Sequence, residues 1–87
     1  MPVSEEHRKS NLTWIRRRDK WRKQYKSIQD EILWYKEEIA HHHREGQWWI
    51  ANRHLIALRS LQQIATIMMD ERAEITMHLK VTSYRYE

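Results

Sequence analysis

Between Trp14 and Lys26 the chain reads WIRRRDKWRKQYK, with seven cations, one acid and three large aromatics. Lys and Arg at that density neutralise phosphate groups, and a Trp or Tyr beside them can stack on a base or pack against a sugar. That is the chemistry of contact rather than of reaction. At about 100° per helical residue Arg16, Lys20 and Lys23 share one face, while Arg17, Arg18, Arg22 and Lys26 spread over the others. Arg16, Arg17, Lys20, Arg22 and Lys23 are therefore the expected charge contacts.

His41-His42-His43, preceded by Glu38, is the other grouping with chemical potential. Glu38-x-x-His41 puts a carboxylate and an imidazole on one helix face, but it is half a site. Carboxylate-bridged di-metal bundles use two such units and further glutamates, whereas Glu74 and His78 are four apart and far along the chain. Cationic side chains also suit the negative end of a helix, so solvated helix-end histidines are the expectation, with no metal and no cofactor. His54 and His78 fall on or beside an apolar stripe and read as packing histidines, which in a dimer would bring pH sensitivity. One glycine in the chain leaves no glycine-rich phosphate loop, and no nucleophile and base are arranged together. The chain reads as non-enzymatic.

The elements that must carry these residues are helices. Trp14, Trp21, Tyr25, Ile28, Ile32, Tyr35 and Ile39 alternate by threes, fours and one seven, the seam of a coiled coil. This predicts a first helix over about 11–44, with an earlier start possible at Ser4 before Glu5 and Glu6. Gly46, the only glycine, places the turn at about 45–47. Ala51, His54, Leu58, Leu61, Ala65, Met68 and Ile75 then continue the pattern, for a second helix over about 48–73. A short link between long helices makes an antiparallel hairpin, one domain over residues 1–87.

The second helix is apolar over more of its circumference than one neighbour can cover, with a polar arc only near Asn52, Arg59, Gln63 and Thr66. That breadth predicts a homodimer forming a four-helix bundle, with Trp48, Trp49, Leu58, Leu61 and Met68 at the interface. Small size argues the same way, since a chain this short buries only about 60% of its unfolded surface and has no cysteine to staple it. The segment Ile75-Thr-Met-His-Leu-Lys-Val81 alternates like a half-buried strand but has nothing in the chain to pair with. It either pairs with another copy or a partner's edge, or continues as helix through Leu79. The preferred reading is an extended tail over 74–87.

Charge is polarised. Residues 1–26 carry nine Lys/Arg against three acids, residues 27–45 two against five, and residues 46–87 five against four. A basic head draws nucleic acid, a nucleoprotein complex or acidic proteins. Equal counting outward from Gly46 places Tyr25 near Ile67, Trp21 near Glu71 and Trp14 near His78. Asp70, Glu71 and Glu74 would then offset Arg17, Arg18 and Arg22. An anionic membrane is a poorer target, because Trp14, Trp21 and Tyr25 would have to leave the seam to face lipid. Five Trp and four Tyr with no Phe suit an interface, so a protein-binding adaptor or small inhibitor is the alternative function. No apolar leader or membrane-length stretch is legible, which makes a cytoplasmic location the expectation.

Overall fold

A computed structural model describes the backbone of residues 5–84 and the side chains of residues 8–80. Two helices, α1 (Glu5–Arg44) and α2 (Trp48–Tyr84), form an antiparallel hairpin, with no strand among the described residues. Forty residues at about 1.5 Å rise make a helix of about 60 Å. The hairpin is accordingly a rod, with Cα extents of 67 × 16 × 16 Å.

The turn shows why Gly46 stands where it does. Its φ of 72° lies in the left-handed region, which a Cβ disfavours. That conformation lets Gln47 N–H donate to the His42 carbonyl at 2.8 Å and Gly46 N–H to the His43 carbonyl at 3.1 Å. The pair of bonds is a Schellman cap, which satisfies carbonyls the helix end would otherwise leave open. Gln47 is also the residue whose carbonyl receives the first bond of α2, from Ala51 N–H at 3.2 Å. Nothing lies within 4 Å of a Cβ built on Gly46, so substitution there strains the backbone without a steric clash. Gly46→Ala should lower unfolding stability by about 1–2 kcal/mol, measured by urea denaturation. A neutral result would show that the turn tolerates another backbone conformation.

The seam packs as the three-four spacing requires. Trp21, Ile32, Ala51, Leu58, Met68 and Ile75 are buried. Toward the open end Trp21, Met68 and Ile75 form a cluster against which Trp14, Tyr25, Ile28 and Leu79 pack. The indole N–H of Trp21 crosses between helices to donate to the Met68 carbonyl at 2.6 Å. Trp14 stacks on His78 with ring centroids 3.9 Å apart, the neighbour that equal counting from the turn assigns it.

Both helices run longer than their periodicity suggested. α1 begins at Glu5, in line with the earlier start before Glu5 and Glu6 rather than the one near residue 11. α2 does not end at Ala73: residues 74–84 are helical, which corrects the extended tail over that range, while 85–87 lie outside the described residues. The reason is a partner already present. Ile75 is 2% exposed, and the N-terminal half of α1 supplies the apolar surface that Ile75, His78 and Leu79 cover. A strand would have left that surface, and its own backbone groups, uncovered.

Candidate nucleic-acid interface

The basic head lies at the open end of the rod, on the arc of α1 that faces away from the seam. Arg16, Arg17, Lys20, Arg22 and Lys23 are all exposed. Arg17 is the one with a cross-helix partner: its Nη2 lies 3.7 Å from Glu71 Oε1, and its guanidinium sits 4.5 Å from the Trp14 ring centroid. Such an exposed pair contributes at most about 1 kcal/mol.

Fewer cations are neutralised than counting across the hairpin suggested. Arg18 turns to its own neighbour, with Nε 3.4 Å from Asp19 Oδ1. Among the described residues no acid lies within ion-pairing distance of Arg16, Lys20, Arg22 or Lys23, and neither Asp70 nor Glu74 forms an ion pair. Equal counting finds the level of a side chain but not the flank from which it leaves the helix, and pairing depends on the flank.

Two grooves run beside Trp21, one on each flank of the seam. Arg18 and Arg22 of α1 and Arg72 of α2 line the first, with Trp21, Ile75 and Thr76. Its three arginines and a threonine are a donor set that matches a phosphate or carboxylate, with no acid among the lining residues, although the Arg18 guanidinium also contacts Asp19. Arg72 also lies 5.8 Å from the Trp21 ring centroid. The second groove is lined by Arg17, Lys20, Trp21, Gln24 and Glu71, and its acid makes it the weaker anion seat. Sequence reasoning left Arg72 out because it lies 50 positions from Arg22 and stands alone among acids. The signal was available in the counting: Arg72 is one residue past Glu71, the position set opposite Trp21.

The aromatics divide by location. Trp14, Trp21 and Tyr25 belong to the seam, Trp21 and Tyr25 stacking at 4.6 Å, so they brace the basic arc rather than offer rings to a base. Trp34, Trp48 and Trp49 are exposed. Of the residues expected at a protein interface, Leu58 and Met68 are buried against α1 and Leu61 is half-buried, so they hold the hairpin together. The large apolar side chains left open on α2 are Trp48, Trp49, Ile56, Ile64, Ile67, Met69 and Met77 instead. Between Trp48 and Met69 the fixed charges are Arg53 and Arg59 alone.

The histidines divide too. His41 and His43 are exposed, and the carboxylate of Glu38 turns to His42 rather than His41, with Oε2 3.3 Å from His42 Nε2. Four residues apart, these two align on the helix better than the three-residue spacing that drew attention first. His54 lies beside them, its ring centroid 5.4 Å from that of His42. No helix among the described residues is long and apolar enough to cross a membrane. No protein family, curated protein or solved structure matches the chain.

Proposed function

We propose that this hairpin is a small non-catalytic binding protein whose basic head contacts nucleic acid, alone or within a nucleoprotein complex. The observation that carries the reading is the surplus of unpaired cations at one end: Arg16, Lys20, Arg22 and Lys23 beside the groove of Arg18, Arg22 and Arg72. Cations arranged along about two turns of a rigid helix track a phosphate backbone, and releasing its counterions provides the free energy. Shape and charge support contact without base recognition, because the aromatic rings of the head are engaged in the seam.

The same reading has the hairpin dimerising through the open face of α2. Trp48, Trp49, Ile56, Ile64 and Ile67 form an apolar surface with little charge, the kind two copies can bury about a twofold axis. The alternative is an adaptor or inhibitor that presents this face to a different protein, and the exposed Trp48 and Trp49 are the observation in its favour.

Arg16, Lys20 and Lys23 changed together to Glu should abolish binding to duplex and single-stranded probes while leaving the helical circular dichroism signal unchanged. Wild-type affinity should fall steeply from low to moderate salt, with the slope of log K on log salt reduced by about 0.7–0.9 for each phosphate contact removed. Binding that survives the triple change, or that ignores salt, rules out nucleic acid as the target of this face.

A further inference from the structure

We propose that Glu38, His42 and His54 form a site for one divalent transition-metal ion, which links α1 to α2 beside the turn. One ligand atom from each of the three residues lies within 4.8 Å of the other two, and all three side chains are partly buried. An ion with bonds of about 2.1 Å in tetrahedral geometry holds its ligands about 3.4 Å apart. Glu38 Oε2 and His42 Nε2, at 3.3 Å, already meet that spacing. The His54 ligand atom, within 4.8 Å of the other two, must move closer to complete the set.

The hydrogen bonding of His42 is consistent with that geometry. Its Nδ1 lies 2.8 Å from Gln47 Oε1, and with the amide in that orientation Nδ1–H donates to the oxygen. That leaves Nε2 as the ring atom directed at the Glu38 carboxylate. At that separation either a proton on Nε2 or a metal ion bridges the two atoms, and the second imidazole beside them, with a ligand atom of its own in reach, is what makes the trio suit a metal ion. Metal-bound histidines are commonly oriented in this way, by a partner on the other ring nitrogen. Gln47 is committed to that partner role by its place in the turn, where its own N–H caps α1.

The walls of the site hold the second helix's ligand in position. His54 packs against the Trp34–Tyr35 pair, its ring centroid 5.6 Å from that of Trp34 and 5.5 Å from that of Tyr35. Two imidazoles and one carboxylate suit zinc or a neighbouring first-row ion, and not calcium or magnesium, which take oxygen ligands. With three protein ligands the ion keeps a position for water. Its role at a helix junction is to fix the hairpin, since binding free energy in such a site adds to folding free energy.

The test is titration of the full, tag-free, metal-stripped chain with Zn²⁺ by calorimetry, with thermal melting alongside and Co²⁺ absorption as an optical probe. One ion per chain, a raised Tm and the intense visible bands of low-coordinate Co²⁺ are the expected results. Glu38→Gln and His54→Ala should each weaken Zn²⁺ binding by about 100-fold or more, and Gln47→Ala by about 10–100-fold. His41→Ala and His43→Ala, which flank His42, should change nothing. Should a substitution unfold the chain, the Co²⁺ spectrum of the wild type decides alone, because octahedral bands would exclude the three-ligand site. Zn²⁺ affinity that survives His54→Ala, or that falls in the His41 and His43 variants instead, would assign the metal to the exposed histidine tract and overturn the proposal.

Discussion

Trp21→Ala should destabilise the hairpin by about 3–5 kcal/mol, the usual cost of emptying a large aromatic site in a core. Trp21 is 7% exposed, stacks on Tyr25 at 4.6 Å and packs against Met68 and Ile75. Two helices cannot collapse around the vacancy without bringing Arg18, Arg22 and Arg72 closer together. Small domains have about 5–15 kcal/mol in total, so the loss would remove a large share of the stability and lower the urea midpoint accordingly. Trp21→Phe separates packing from hydrogen bonding: it keeps most of the volume but removes the donor to the Met68 carbonyl, for a loss of about 1 kcal/mol. Urea denaturation followed by circular dichroism reads both. A change below about 1 kcal/mol for the Ala variant would mean that the seam at this level is not as described.

Ile56→Glu combined with Ile67→Glu should convert the proposed dimer to a monomer while leaving the fold alone. Each side chain is 67% exposed within one hairpin, and substitutions at such positions usually change stability by less than about 0.5 kcal/mol. Across a twofold interface the same changes bury four unpaired carboxylates. An uncompensated buried charge costs about 3–5 kcal/mol, which weakens association by at least about a hundredfold. Sedimentation equilibrium gives the mass, and circular dichroism confirms the helices. A wild-type chain that is monomeric at tens of micromolar would remove the dimer and leave the open face of α2 to a different protein.

The hairpin was legible because its seam is long and regular. Trp14, Trp21, Tyr25, Ile28, Ile32, Tyr35 and Ile39 have one period, and a single glycine left one place to turn. The end of α2 was misread for a specific reason. Ile75 and Leu79 are four apart, which satisfies both a two-residue and a three-four period, and only Met77 between them distinguishes strand from helix. Met77 is 57% exposed in the helix, a fact that depends on α1 and not on local pattern. The basic arc was legible in outline, since charge density survives without knowledge of pairing. Its grooves were not, because Arg72 joins them from the other helix.

The trio of Glu38, His42 and His54 was closer to reach than it looked. The same outward counting that sets Trp14 opposite His78 sets Glu38 opposite His54. What hid the trio was the conspicuous run of three histidines, of which only the middle one faces the seam.

Closure at Gly46 makes the two ends of the rod unequal in time as well as in charge. Layers beside the turn join residues close in sequence, whereas the Trp14–His78 stack joins residues 64 apart, and loop-closure entropy rises with that separation. Closure entropy favours zipping from the turn outward, and the Trp21, Met68 and Ile75 cluster is what holds the far end shut against it. The basic head sits on the turns with the highest closure cost, where an anionic partner that spans Arg22 and Arg72 would act as a clasp on both helices.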